Sequence, residues 1–297
     1  MLCLIWGSTW LAIKIGLEGA PPFLAASLRF LLASATLFGA VIVTRSALPR
    51  TRVEWGLVAF VGIVLFTTDY GLIYWGQNNG VESGLSAILF ATMPLQTALV
   101  AHGLLSEERL TLQKIAGIVI GFAGLLVVFR GQLALAGPSE FLPMLAVVAA
   151  ASCGAVTTVA MKRWGHDTNP FSFNAFAMGV GGTALAGLSL GASETWAVPS
   201  WPQGIVAILY LALAGSVVTF VTFLWLLKTT QATAMSYIAL IIPIVAVFLG
   251  VSVGSEVLDP LAIVGAAMTL FGIYVSVSKR AAGWTRAARA GSSGPPS

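Results

Sequence analysis

The sequence has few charged residues. Asp, Glu, Lys and Arg make up only 9% of its 297 residues, whereas soluble domains carry about 25%. Hydrophobic residues make up 58%, and the mean hydropathy is +0.93, so a chain of this composition would aggregate in water. The net charge of +4 is spread through the polar stretches between apolar runs. We therefore expect no nucleic-acid partner.

Metal ligands are equally scarce. The chain has two Cys and two His, and their spacing matches no zinc motif. Cys3 and Cys153 both lie in apolar runs, which indicates small packing side chains. No stretch resembles an ATP-binding loop. We expect neither a metal nor a cofactor.

The residues of an intramembrane enzyme are also missing. A serine protease of the rhomboid type needs Gly-x-Ser-Gly, but Ser86 is followed by Ala87. An aspartyl protease needs two buried Asp, and only Asp69 lies well inside an apolar run. We therefore expect that the protein is not an enzyme.

What the chain has instead is long apolar runs, each near the ~20 residues that cross a bilayer. Backbone groups in lipid must be satisfied internally, so these runs predict helices. The first run lacks the basic start and cleavage pattern of a signal peptide, so we expect it to be a span. The sequence predicts an all-α integral membrane protein with ten transmembrane helices, at about 2–17, 23–44, 54–76, 84–105, 112–129, 141–162, 171–190, 203–227, 233–254 and 260–278.

Most of the stretch around Pro94 and Glu107 recurs later in the sequence. Pro94 precedes Glu107 by thirteen residues, and Pro243 precedes Glu256 by the same number. Further upstream, WGSTWLAIK aligns with GAVTTVAMK at an offset of 148, about half the chain length. A repeat of this kind predicts two five-helix units. We place them at 1–135 and 136–280, followed by a disordered cytoplasmic tail at 281–297.

The positions of Lys and Arg predict the orientation. With the second-to-third loop in the cytoplasm, twelve of them lie on that side, while Lys14 and Arg130 lie on the other. Such an excess marks the cytoplasmic side, so both termini are expected there. Five spans per unit is an odd number, so the two repeats should be inverted relative to each other.

The residues resemble a known family. The opening WGSTWLAIK, the stretch LEGAPPFLAASLRF and the two Pro-to-Glu copies are similar to EamA-type permeases of the drug/metabolite transporter superfamily, from Trp6 to about Lys279. Family members have several more residues before the Trp-Gly pair, so we expect the first span here to lack part of its start.

The resemblance implies a secondary transporter (permease) of small metabolites, such as amino acids, in the cell inner membrane. It also implies export in many members, while the inverted repeats favour alternating access. The expected partners are a small-molecule substrate and the lipid bilayer. We expect a monomer, with a dimer as the alternative state. The competing interpretation is a non-transporting membrane scaffold or assembly protein.

One stripe of candidate substrate-binding residues lies on the first span. Trp6, Trp10 and Lys14 recur at i, i+4 and i+8, so they share a helix face. The stripe could face a cavity. Alternatively, the tryptophans pack and Lys14 reaches the outer interface.

Two charges fall deep within spans. Asp69 is a candidate proton carrier or partner for a substrate ammonium. Its alternative role is a salt bridge to Arg29 or Lys14. Arg29 pairs with an acidic group or substrate carboxylate, or it fastens the outer loop. The sequence leaves both choices open.

Further candidates come from other spans. Pro94 and Pro243 are expected to kink helices at matching places and expose carbonyls to a cavity. We expect Glu107 and Glu256, at loop edges, to cap or fasten helices. The remaining residues expected to line a substrate cavity are Tyr70, Tyr74, Thr92, Gln96, Trp225 and Tyr237.

Overall fold

The chain is helical throughout the residues that the computed structural model describes, which are 1–105, 110–136, 138–196, 202–229 and 232–278. No strand occurs in these ranges. Two π-helical stretches, Gly62–Asp69 and Leu213–Val218, join α3 to α4 and α10 to α11. The α-helices are α1 (Leu2–Leu17), α2 (Pro22–Thr44), α3 (Arg52–Val61), α4 (Tyr70–Asn78), α5 (Ser83–Phe90), α6 (Met93–Leu104), α7 (Leu112–Ala136), α8 (Phe141–Trp164), α9 (Pro170–Gly191), α10 (Pro202–Ala212), α11 (Thr219–Thr229), α12 (Ala232–Ser252) and α13 (Pro260–Val277).

Seven helical segments within the described ranges are long and apolar enough to cross a bilayer, which makes the chain a multi-pass membrane protein. They are Pro22–Thr44, Arg52–Asn78, Ser83–Leu104, Leu112–Gly131, Pro138–Trp164, Pro170–Gly191 and Pro202–Leu226. Leu2–Leu17 and Pro260–Ser276 are apolar but shorter, as is Ile241–Ser252, which is the part of α12 in which every side chain is described. The 16 residues of α1 rise about 24 Å, less than the ~30 Å of a hydrocarbon core. The prediction of an all-helical membrane protein is confirmed. Seven of the ten predicted helices are long enough, within the described ranges, to span a bilayer.

Several helix boundaries follow from turn chemistry in the sequence. Thr51 and Glu54 form a capping box, in which each side chain accepts the backbone N–H of the other residue. The side chains of Asn169 and Asp259 accept N–H groups of the first turns of α9 and α13. Pro170 begins α9 just after its cap, because the fixed φ of proline suits a first helical position.

Helices α7 and α13 pack closely and run in opposite directions. Gly117 lies against Gly272, and Gly124 lies against Gly265. A Cβ at Gly124 would come within 2.6 Å of the Gly265 carbonyl oxygen. Between these contacts, the Thr269 hydroxyl donates to a carbonyl of α7 at 3.2 Å. The glycines allow the two backbones to approach this closely.

Helices α2 and α9 form a second antiparallel pair. The Ser27 hydroxyl donates to the carbonyl of Gly182 at 2.9 Å, and the Ser34 hydroxyl donates to that of Ala175 at 2.7 Å. Ala175 follows Ser27 by 148 positions, and Gly182 follows Ser34 by the same number. This number is the offset of the sequence repeat. Exchanging the two halves of the chain therefore converts one residue pair into the other, although α2 donates both hydrogen bonds.

Two kinds of irregularity interrupt the long helices. The segment containing Pro94 breaks at Ala91–Thr92, and Pro94 lies in the first turn of α6. Pro243 lies inside the continuous helix α12. Only the segment containing Pro94 is broken, so the two predicted interruptions do not match.

In the two π-helical stretches, the Thr67 and Ser216 hydroxyls each donate to the carbonyl five residues back. These stretches occupy corresponding places in the two halves.

The largest hydrophobic cluster lies between the two halves. Its fully buried members include Phe30 of α2, Phe66 of the first π-helical stretch, Phe173 of α9 and Leu211 of α10. The cluster draws on helices of both halves, and the buried side chain of Arg29 lies beside it, 5.0 Å from the ring centre of Phe30.

Candidate functional site

Arg29 of α2 is buried and ties the two halves together. Its Nε donates to Oγ of Ser216 at 2.9 Å, and its Nη2 donates to the carbonyl of Gly215 at 3.1 Å. Both acceptors belong to the second π-helical stretch. Nη1 makes no hydrogen bond within the described part of the chain. One donor of a buried cation is therefore left for another acceptor.

Aromatic rings surround this guanidinium. The Cζ atom of Arg29 lies 5.0 Å from the ring centre of Phe30 and 4.7 Å from that of Tyr70. Phe220 lies 6.4 Å from Tyr70 and 5.8 Å from Trp6, between ring centres. A cation over an aromatic face gains about 0.5–2 kcal/mol. We call Trp6, Phe30, Tyr70 and Phe220 the aromatic cage.

Other buried polar atoms, on α1, α4 and α5, have no hydrogen-bond partner among the described residues. They include Nε1 of Trp6, the hydroxyl of Tyr74, the amide of Gln77 and Oγ of Ser86. Tyr74 follows Tyr70 by one turn, and its helix α4 contacts both α1 and α5. Each such atom costs about 1–3 kcal/mol, so native structures keep few of them. Their concentration on α1, α4 and α5 marks a place where polar groups of a ligand can be received.

Asp69 is also buried, at the end of the first π-helical stretch, with no exposed surface. Neither carboxylate oxygen has a hydrogen-bond partner in the described ranges. A Cβ at Gly154 of α8 would lie 3.1 Å from Oδ2 of Asp69 and 3.1 Å from Sδ of Met93. The described part of the chain contains no ion pair of Asp69 with Arg29 or Lys14. The carboxyl group therefore has no cationic partner in the described part of the chain.

The predicted stripe of α1 divides into three environments. Trp6 joins the aromatic cage, while Trp10 is buried with its ring centre 5.4 Å from that of Phe90. Lys14, near the helix end, forms ion pairs with Glu82 and, at 3.1 Å, with Glu256. The tryptophans therefore pack inside the bundle, and the lysine binds loop carboxylates.

Thr92 and Gln96 lie between α6 and α8. Both are buried, and the Gln96 amide nitrogen donates to Oγ1 of Thr92 at 3.0 Å. The Gln96 carbonyl accepts the hydroxyl of Ser152 on α8. These bonds satisfy the amide within the protein, as burial of a polar group requires.

The other expected lining residues lie apart from the cage. Trp225 of α11 is 57% exposed. It follows the buried Thr219 by six residues, or about 600° of helix rotation, which turns it to another face. The side chain of Tyr237, the loop residue Glu107 and the tail at 281–297 lie outside the described residues.

Two surface recesses lie away from the cage. One of about 550 Å³ is lined by Phe38, Ile63, Phe176, Gly179, Val180, Thr183 and Ala184. The other, of about 230 Å³, is lined by Ala47, Leu48, Pro49, Arg50, Glu54, Asp167, Thr168, Asn169 and Phe173. Neither contains an expected cavity residue. Trp10, Tyr74 and Gln96 are instead buried, so this conformation encloses them.

The sequence analysis missed the partners that position Arg29. Ser216 and Gly215 form a Gly-Ser pair inside an otherwise apolar run, and this pair was the available signal. Phe30 and Phe220 gave no signal, because a phenylalanine in a membrane helix is ordinary. Their role follows from their places on separate helices.

Comparisons with known proteins agree with this architecture. The family model for the EamA-like transporter family matches residues 1–130 and 141–278. The chain is 28% identical over 276 residues to the uncharacterized transporter YoaV of Bacillus subtilis, covering 92% of this chain and 93% of YoaV. It is 29% identical over 278 residues to the uncharacterized inner membrane transporter YedA of Escherichia coli K12, covering 92% and 87%.

One solved crystal structure has the same fold. It superposes with a TM-score of 0.67 at 20% identity and covers 93% of this chain and 94% of its own. The family match extends over nearly the whole helical part of the sequence. The relatives named as transporters favour a membrane permease and a non-enzymatic role. The chain belongs to the EamA-like transporter family.

Proposed function

We propose that this permease moves small metabolites, such as amino acids or related compounds, by alternating access, and that it works as an exporter. The observation that carries the proposal is the buried guanidinium of Arg29 against the rings of Phe30 and Tyr70, with Nη1 outside the hydrogen bonds to Gly215 and Ser216. A scaffold has no use for such groups, since each is costly to bury.

We further propose ten transmembrane helices in two inverted five-helix repeats, 1–135 and 136–280. The antiparallel pairs α7–α13 and α2–α9 support this arrangement, because their contacts interchange when the halves are exchanged. The two matched segments of the family model fall on the same two units. Inverted repeats favour alternating access, since exchanging the conformations of the halves converts one open state into the other.

The protein is proposed to lie in the inner membrane with both termini in the cytoplasm. The relative YedA is named an inner membrane transporter. Twelve basic residues on one side against two on the other support the orientation. A monomer would suffice, because the cage is built from helices of one chain.

The proposed substrate contacts are centred on Arg29. Its free Nη1 suits a carboxylate, and the aromatic cage suits an apolar body. The hydroxyl of Tyr74 offers a further polar contact. The full proposed lining set is Trp6, Trp10, Lys14, Tyr70, Tyr74, Thr92, Gln96, Trp225 and Tyr237.

Asp69 is the proposed proton carrier. Its surroundings, Gly154 and Met93, supply no set of oxygen ligands for a metal cation. An ionised carboxylate without a donor or a cation is costly to bury. A proton is therefore the simplest partner, and exchange would follow when water reaches the site.

Transport by the purified protein in liposomes tests the proposal. Proteoliposomes loaded with unlabelled amino acids should exchange them for the same radiolabelled compounds. Arg29→Gln should reduce this exchange by about tenfold or more, because it removes a charge-assisted contact. The matched control Arg52→Gln changes an exposed arginine and should keep full exchange. Folded protein that exchanges nothing from a panel of amino acids and related metabolites would favour the scaffold alternative.

A further inference from the structure

Glu256 makes an unusually complete set of contacts for a loop residue. It lies between α12 and α13 and is 4% exposed. Its carboxylate accepts the backbone N–H groups of Ser83 and Gly84, each at 2.9 Å, and the Ser83 hydroxyl at 2.6 Å. It also accepts the ammonium of Lys14 at 3.1 Å. Ser83 and Gly84 begin α5, so Glu256 caps that helix from the other half of the chain.

The local structure is shaped to admit this carboxylate. A Cβ at Gly84 would lie 3.2 Å from Oε2 of Glu256, and a Cβ at Gly250 would collide with the same group. Burial raises the pKa of Glu256, but the Ser83 hydroxyl, the two amides and Lys14 outweigh that effect and lower it. The carboxylate therefore stays ionised at neutral pH.

The contacts join the two halves at one end of the bundle. Lys14, Ser83 and Gly84 belong to the first half, and Glu256 belongs to the second. Lys14 also binds Glu82, just before α5, and the side chains of Lys14 and Glu82 are 31% and 34% exposed. The cluster therefore has a buried centre of hydrogen bonds and a solvent-exposed edge. Water can replace the hydrogen bonds and ion pairs of the cluster when the halves separate.

We propose that Lys14, Glu82, Ser83 and Glu256 form a latch that closes one mouth of the substrate pathway. The proposal rests on the alternating-access function, in which the halves must part at this end in one state. Ser86, one turn further along α5, is fully buried with its hydroxyl unpartnered. It lies just inside the latch, so opening the latch should expose it to water.

Thiol labelling at this serine tests the latch without any substrate. Ser86→Cys would be made in a Cys3→Ala, Cys153→Ala background, purified in detergent and treated with a water-soluble maleimide. Glu256→Gln and Lys14→Met should each raise the labelling rate by about tenfold or more, a change of about 1.4 kcal/mol in the closed state. Glu18→Gln, at an exposed carboxylate close to the same helix end, should leave the rate unchanged.

The variants separate a latch from a fold-supporting cap. Lys14→Met keeps the hydrogen bonds that Ser83 and Gly84 donate to Glu256, so it remains informative if Glu256→Gln fails to fold. Monodisperse Lys14→Met protein that labels as slowly as the Ser86→Cys parent would overturn the latch. Rapid labelling of the parent itself would overturn it too. The labelling experiment measures no transport, so it can be interpreted even if the liposome assay detects none. Conversely, labelling results that contradict the latch would not contradict the proposal that the protein is a transporter.

Discussion

Arg29 and Asp69 are both buried within the helices, and the protein accommodates them by different means. Arg29 is satisfied by a hydroxyl, a carbonyl and two ring faces. Asp69 has none of these partners. An arginine cannot shed its charge in a protein, so its site must supply acceptors. A carboxyl group can bind a proton instead, so a site without a cation is tolerable for Asp69.

Replacement of Asp69 by Asn should therefore preserve the fold while removing proton coupling. The amide is neutral and of nearly the same size, so we expect the folded yield to stay at or above that of the parent. Flux of the transported substrate should no longer respond to an imposed pH gradient, as measured in proteoliposomes at several internal and external pH values.

The matched control is Asp259→Asn. Asp259 caps α13 by accepting the Leu261 N–H, and Asn is an equally good cap, so the pH response should persist. If Asp69→Asn instead lowers folded yield and flux together at every pH, Asp69 is a structural strut.

At the scale of elements, the seam between the halves depends on small residues. The carbonyl of Gly265 approaches Gly124 closely, and its mirror contact is formed by Gly117 and Gly272. Lipid offers no hydrophobic drive for helix association, so close van der Waals packing must supply it. The stability of the α7–α13 pair therefore depends on the size of residues that carry no charge and belong to no recognisable motif.

We expect Gly124→Ala to destabilise the protein by about 1–3 kcal/mol, the usual cost of overpacking. Its Cβ would lie 2.6 Å from the Gly265 carbonyl oxygen and 2.6 Å from the Thr269 nitrogen, so α13 must move. The midpoint of thermal unfolding in detergent, followed by tryptophan fluorescence, measures the effect. Gly187→Ala is the control, since that helix position meets nothing within 4 Å. Equal midpoints for the two variants would mean that α7 and α13 are not held by this contact.

At the scale of the whole molecule, topology decides which mouth the latch closes. With cytoplasmic termini, the end of α1 and the loop before α5 face the periplasm. The proposed latch would then close the outer mouth, which is the exit for an exporter. The enclosed state of Trp10, Tyr74 and Gln96 is consistent with a closed outer side.

Fusions to alkaline phosphatase, which is active only in the periplasm, test this orientation. A fusion after Ser278 should be inactive, and one between Asn79 and Gly80 should be active. The reverse pattern would place the termini outside and make the latch an inner gate. A fluorescent reporter that matures only in the cytoplasm serves as the complementary control at both positions.

Composition and repetition were enough to determine the class of this protein. Scarce charge and long apolar runs require membrane helices, because lipid satisfies no backbone group. The matched spacing from Pro94 to Glu107 and from Pro243 to Glu256 predicted the repeat, and the family was recognised from the residues that resemble it. Each of these is a property of local sequence, so no knowledge of packing was needed.

Only the tertiary structure decided what the buried polar residues touch. Asp69 could have paired with Arg29 by charge alone, but Arg29 instead bonds to Ser216, which lies 187 residues away. The second π-helical stretch, which no residue pattern predicted, supplies both hydrogen-bond acceptors of Arg29. Glu256, expected to cap or fasten the following helix, instead caps a helix of the other half. Partners of this kind depend on which helix faces come together, and packing between distant segments sets those faces.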